Sequence, residues 1–206
     1  MQSVTLYNTG KIFFTSDLHF DHRNILTFAG RPFEDTKSMN QSLIDNWNNV
    51  VTDDDTVFIL GDICWFNYSD CICRHLNKLN GFRIYICCGN HDDAGKYKKL
   101  KANGKLNNSI YILDDIARVD VYDKDSQDNM IAKLILCHYP LLTWSGRQNG
   151  VINLFGHIHS GPHSTSNIDW NLPYFKDLHY DVGVDNNNYK PVELTEILDK
   201  LKKEPE

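Results

Sequence analysis

The chain has 206 residues, of which 41% are hydrophobic and 23% charged, enough to bury a substantial core without disulfide support. Its formal charge of -6 argues against a general nucleic-acid coat protein, which is ordinarily basic. Bound divalent cations would offset part of that charge. The opening "MQSVTLYNTGK" has no apolar leader and no run is long enough to span a membrane, so a cytosolic protein is expected. The six cysteines show no C-x-x-C pair and read as reduced thiols. Cys64, Cys87, Cys88 and Cys137 are expected as small core residues.

In chain order, "KIFFTSD" (residues 11–17) is a short β-rich run that ends in polar residues. Residues 36–51 carry Met39, Leu43, Ile44, Trp47 and Val51 at helical spacing, with Asp35 or Thr36 as the cap. "TVFILGD" (56–62) is a continuous apolar run closed by Gly-Asp, as a buried strand would be. A second helix is predicted over 69–80 through Ile72, Leu76 and Leu79, and "FRIYICCGN" (82–90) is another strand. After a lysine-rich stretch, strand-like runs at 109–123 and 130–138 flank a turn at 124–129. Strands at 151–157 and 178–185 and a closing helix at 193–203 complete the chain. No repeat or low-complexity linker interrupts it, so one domain over 1–206 is expected, α/β at the start and strand-rich later.

The apolar runs end in metal-competent side chains. They close on Asp17-Leu18-His19, Gly61-Asp62, Gly89-Asn90-His91-Asp92, His138 and Gly156-His157-Ile158-His159, which together hold five of the nine histidines. Open α/β sheets build their sites at such strand ends. In a strand, His157 and His159 would share a face. One H-x-H pair is more often a surface feature, but five strand ends converging on one chemistry are not explained that way. Asp, Asn and His without thiolate form a hard nitrogen–oxygen set suited to Mn, Fe, Zn, Ni or Mg. A lone Asp62 carboxylate can bridge two cations about 3.5–4 Å apart, an arrangement that activates water near pH 7.

In order, these blocks spell D-x-H, G-D, G-N-H-D, H and G-H-x-H, and the chain resembles the calcineurin-like metallophosphoesterases. The flanking "TSDLHFDHRNI" with "RPF", "HYPLLTWSG" and "DVGVDNNNYKPV" resemble its small bacterial and phage members. The resemblance implies a four-layer α/β/β/α sandwich of two mixed sheets. It implies that Asp17, His19, Asp62 and His159 hold one metal, and that Asp62, Asn90, His138 and His157 hold a second. Two divalent ions, with Mn²⁺ first among the candidates, would be the cofactors. His91 would serve the leaving oxygen as proton donor, with Asp92 fixing its tautomer.

Departures from relatives narrow the substrate. Protein serine/threonine phosphatases of the superfamily carry an Arg before G-N-H and a D-R-G after the second aspartate, whereas this chain reads "CCGNHD" and "GDICWF". The long capping domain expected of the repair-nuclease branch is also absent. A small phosphodiester or phosphomonoester, a nucleotide among them, is the expected substrate. Nucleic acid and a non-catalytic binding role are the alternatives, and no membrane partner is expected. His22, Arg23 and Arg147 are candidate phosphate contacts, and Trp144 is expected to be a buried aromatic. Lys96, Lys98, Lys99, Lys101 and Lys105 read as the solvated face of a helix, with steering of an anionic substrate as the other reading.

Overall fold

A computed structural model describes residues 1–7, 10–65, 68–126, 128–162 and 178–203. Its strands are β1 (Gln2–Tyr7), β2 (Ile12–Thr15), β3 (Thr56–Leu60), β4 (Arg83–Cys87), β5 (Ile110–Ile112), β6 (Ile116–Tyr122), β7 (Met130–Cys137), β8 (Ile152–Phe155), β9 (His179–Asp181) and β10 (Val192–Glu193). The helices are α1 (Ile25–Phe28), α2 (Thr36–Val50), α3 (Ser69–Leu76), α4 (Ala94–Ala102) and α5 (Leu194–Lys203). They build two mixed five-stranded sheets flanked by helices, an α/β fold, in the orders β10-β2-β3-β4-β5 and β1-β6-β7-β8-β9.

The apolar runs are continuous because their strands are buried on both faces. Phe13, Val57, Ile59, Ile84 and Ile86 point into a core shared with Met39, Leu43 and Trp47 of α2, Ile72 and Leu76 of α3, and Tyr97 and Leu100 of α4. Their alternating neighbours Phe14, Phe58, Leu60 and Cys87 point the other way. There they meet Val119, Val121, Leu134, Leu136 and Leu154 of the facing sheet. Each fully buried Leu, Ile or Phe contributes about 1.5–3 kcal/mol, so this two-sided burial dominates the fold. Helix α5 adds Leu194 and Ile197 to the inter-sheet core.

The outer face of the β1–β9 sheet carries a different cover near the site. Asn153 is fully buried and accepts from the Leu141 N–H at 3.1 Å. Trp144 packs edge-on against His179 with ring centres 4.5 Å apart and donates its indole N–H to the Val151 carbonyl at 2.8 Å. Trp144 is thus part of the packing, though half-buried rather than the buried aromatic expected.

Local differences from the sequence reading have simple causes. Helix α2 starts on a capping box: the Asp35 carboxylate accepts from the Ser38 N–H at 2.7 Å and Ser38 Oγ accepts from the Asp35 N–H. Helix α3 stops at Leu76 instead of residue 80, because Asn77 ends it and Gly81 turns the chain at φ 150°. The lysine-rich stretch is α4, which buries Tyr97 and Leu100 beneath a charged outer face, with Lys101 over the Tyr111 ring. Strand β1 was not expected; it pairs in parallel with β6, from Gln2↔Ala117 to Tyr7↔Tyr122, a contact no local pattern announces. The predicted turn at 124–129 includes residue 127, outside the described residues.

Candidate metal centre

Strands β2, β3 and β8 all end at one edge, and the chain reverses at once. Asp17 (φ 58°), His19 (φ 50°), Asp62 (φ 55°), His157 (φ 74°) and His159 (φ 47°) all occupy the left-handed region. Each such non-glycine residue costs about 1–3 kcal/mol and persists only where surrounding structure enforces it. Here backbone bonds enforce it: Asp17 N–H to the Gly61 carbonyl at 3.0 Å, and His19 N–H to the Asp62 carbonyl at 2.9 Å. The ligand-type side chains themselves tie the loops together. Asp17 Oδ2 accepts from the His157 N–H at 2.9 Å, and Asp62 Oδ1 accepts from the His91 N–H at 3.0 Å. Two glycines make room: a Cβ on Gly156 would overlap Asp17 Oδ2, and one on Gly89 would overlap Asp62 Oδ1.

These exits bring two donor sets together around one oxygen. Asp62 Oδ2 lies 3.5 Å from His19 Nε2 and 3.5 Å from His138 Nε2. On one side, Asp17 Oδ1 lies 4.0 Å from His19 Nε2 and 3.9 Å from His159 Nε2. On the other, His138 Nε2 lies 3.1 Å from Asn90 Oδ1 and 3.2 Å from His157 Nδ1. Donors about 2.1 Å from one ion, at tetrahedral to octahedral angles, stand roughly 3–4 Å apart. Among the described residues, the buried Asp17 Oδ1 and His19 Nε2 have no hydrogen-bond partner although they face each other, as two ligands of a cation would. The residues present therefore fit a divalent ion on each side of Asp62.

Tautomers agree with that fit. His138 Nδ1–H donates to the Leu60 carbonyl at 2.7 Å and His159 Nδ1–H to Asp185 Oδ2 at 2.8 Å, which leaves each Nε2 facing inward. Burial lowers the pKa of His138, but Asp62 and Asp17 outweigh it and raise the ring to about 9, so in the ion-free chain Nε2 holds a proton that a bound cation would displace. Burial drives the His19 ring well below its ordinary value, with His159 adding to the shift, so it presents a neutral lone pair.

Three expected roles differ from the geometry. Asp92 does not orient the His91 ring. Among the described residues, its carboxylate accepts from the backbone N–H groups of Asp62 (2.7 Å), Gly89 (2.9 Å) and Ile63 (3.3 Å), and from Tyr97 OH (2.6 Å). It is a bracket that joins two ligand loops. His22 is not open to substrate: it is 3% exposed, stacks on Trp65 with ring centres 3.6 Å apart, and sets its Nδ1 3.3 Å from His19 Nδ1. It backs His19 instead. Arg147 lies over the Trp144 ring at 5.4 Å, on the outer cover, and no described contact joins it to the centre. Arg23 is exposed, just before α1. His91 stands at the rim with its side chain 28% exposed and Nε2 3.9 Å from Asp62 Oδ2.

Other residues of the site were not assigned from sequence. Arg31 pairs with Asp185 behind His159. Tyr139 is exposed, with its ring 4.6 Å from His157 and its hydroxyl 3.5 Å from Asn90 Oδ1. Asp181, pushed up to about 7 by burial, accepts from Ser160 Oγ and from the Gly183 N–H. Arg31, Asp181 and Asp185 lie in or beside the "RPF" and "DVGVDNNNYKPV" segments, and Tyr139 in "HYPLLTWSG", so the signal was present without a role. Asp21, Cys71 and His75 form a further ligand-competent group. There the carboxylate is already engaged by Asn40 and Arg74, each at 2.6 Å, and by His75 at 3.3 Å.

Two facing mixed sheets with a histidine–aspartate cluster at their strand ends define a metallophosphoesterase-type protein. The profile of the calcineurin-like phosphoesterase family matches residues 10–186, and the chain belongs to that family. It is 32% identical over 196 residues to an uncharacterized protein of Methanocaldococcus jannaschii, covering 94% of this chain and 92% of that one. The gene 66 protein of Mycobacterium phage L5 is 27% identical over 168 residues, covering 71% of this chain and 76% of its own. A crystal structure of a protein of unknown function from Aquifex aeolicus shares the fold, with a TM-score of 0.61 at 23% identity over 93% of this chain and 98% of that one. No helix among the described residues is long and apolar enough to cross a membrane.

Proposed function

We propose that the protein hydrolyses small phosphoesters, with a nucleotide among the candidate substrates, at a centre that takes two divalent cations. The observation that carries this reading is the position of Asp62 Oδ2, 3.5 Å from an inward-facing imidazole nitrogen of each donor set. Asp17, His19, Asp62 and His159 would hold one ion; Asp62, Asn90, His138 and His157 would hold the other. The oxygen–nitrogen donors suit Mn²⁺, Fe, Zn, Ni or Mg, and the family resemblance puts Mn²⁺ first. When bound, such a pair supplies Lewis-acid polarisation of the phosphoryl group and acidifies water to a pKa of about 7.

The chain's own residues do the rest. The enforced strand exits hold the donors in place without reorganisation. His91, partly exposed beside the cluster, would give a proton to the departing oxygen. The net charge of -6 favours a small phosphoester over a nucleic-acid polymer. Cytoplasmic residence belongs to the same reading and is supported by six unpaired cysteines.

The test is hydrolysis of matched aryl phosphodiester and phosphomonoester substrates by chelator-stripped protein, with and without Mn²⁺. Cleavage restored by the ion is expected, and the faster ester names the substrate class. No turnover of either ester by protein carrying two ions would refute the enzyme and leave a binding role. Preferential cutting of single-stranded or duplex DNA would move the reading to a nuclease.

A further inference from the structure

Arg31 is 4% exposed and stands 154 residues from its main partner in sequence. Its Nε and Nη2 donate to Asp185 Oδ1 and Oδ2 at 2.8 and 2.9 Å, a two-pronged pairing with one carboxylate. Nη2 also donates to the Asp17 carbonyl at 2.6 Å, and Nη1 to the Leu18 carbonyl at 3.0 Å and the Met39 sulfur at 3.5 Å. Five donor contacts match the five N–H groups of a guanidinium, so the buried charge is compensated on every side. Asp185 is likewise buried, and its Oδ2 accepts from His159 Nδ1–H at 2.8 Å.

One side chain therefore reaches both halves of a donor set far apart in sequence, the Asp17 half directly and the His159 half through Asp185. Through two consecutive carbonyls it holds the left-handed exit that carries Asp17 and His19. Through Asp185 it fixes which nitrogen of His159 bears the proton, and so which nitrogen faces Asp17. We infer that Arg31 and Asp185 are positioning residues that preform the Asp17–His19–His159 side of the centre while leaving the Asn90–His138–His157 side independent of them. The inference rests on the ligand reading given under Proposed function. Lysine cannot substitute for Arg31, because an ammonium is a point donor that cannot fork to a carboxylate and reach two carbonyls.

The experiment is calorimetric titration of chelator-stripped wild type, Arg31→Lys and Asp185→Asn with Mn²⁺, alongside chemical unfolding of each ion-free protein. Wild type should bind two ions. Each variant should lose about 10–100-fold in affinity for one ion and keep the other, the range typical of removing a group that orients a ligand. Wild type binding no ion would overturn the ligand reading, and this inference with it. Two ions in wild type and unchanged affinities in folded variants would overturn this inference alone. Equal loss at both ions, in proportion to lost stability, would mean a merely structural role and would also overturn it. A second measurement covers variants that do not fold: ¹⁵N-resolved spectra of ion-free wild type should show His159 Nδ1 bearing a proton. An unprotonated Nδ1 there would overturn the proposal.

Discussion

Asp92 Oδ2 accepts a hydrogen bond from the backbone N–H of Asp62 at 2.7 Å, across thirty residues of sequence. The same oxygen takes the Gly89 N–H, so the loops that follow β3 and β4 are clamped by one carboxylate. Asp62 and Asn90 stand on those two loops. The backbone of the centre is thus held by an acidic residue that is not itself among the proposed ligands.

Asp92→Asn should act through stability before chemistry. The amide would turn a donor toward backbone donors, at a cost of about 1–3 kcal/mol for the group left unmatched. A lower urea midpoint for the ion-free variant is expected, together with weaker binding of both ions through a displaced Asp62. An unchanged midpoint with slower turnover would restore a direct role beside His91.

His91→Ala should leave both ions bound, because its ring lies at the rim and neither proposed donor set needs it. Turnover should fall by roughly 10²–10⁴-fold for alkyl leaving groups and much less for nitrophenyl esters, which depart without a proton. Equal losses for the two kinds of ester would argue against a proton-donor role.

Asp62→Asn weakens the one oxygen shared by the two donor sets, whereas His157→Ala removes a donor from one set only. The first should lose affinity for both ions and the second for one. Each should lower kcat/KM by at least about 100-fold, or about 2.7 kcal/mol of transition-state stabilisation. Mn²⁺ titration followed by a rate assay separates the two patterns. Full occupancy with wild-type turnover in either variant contradicts the ligand assignment.

Cys71 offers a pH test outside the proposed donor sets. It lines a surface pocket of about 360 Å³ with Asp21, Tyr68, Ser69, Asp70 and Arg74. The neighbouring Cys64 pushes the thiol down, with His75 acting in the same direction against burial. A thiol whose folded value is lowered contributes stability that is full above the unfolded value and is lost as pH falls through the folded one. Cys71 is 5% exposed, so its labelling follows local opening, and the iodoacetamide rate, read by peptide mass, should begin to rise at a lower pH than that of Cys73. A rise no earlier than that of Cys73, whose thiol burial pushes up, would contradict this.

Much of the site was legible in the sequence because strands announce themselves by apolar runs, and polar residues at their ends are conspicuous. "TVFILGD" reads as a buried strand that delivers Asp62, and β3 with its left-handed exit is what the fold contains. The alternation within such runs is invisible in composition, since Phe58 and Ile59 are equally apolar yet serve different cores. His22 shows the limit of proximity in sequence: three residues from His19, it reads as a substrate contact until burial against Trp65 removes it from solvent.

By itself, then, the sequence determined the chemical inventory and the strand ends that carry it, because local periodicity and backbone preference act over a few residues. Only the tertiary structure decided which polar groups answer one another. Arg31 meets Asp185, Asp92 meets Asp62 and β1 meets β6 through contacts between segments far apart in sequence. The physical reason is burial: once water is excluded, the charges and N–H groups at the strand ends are paired wherever in the chain a partner lies, or, like Asp17 Oδ1 and His19 Nε2, are left facing a place for a cation.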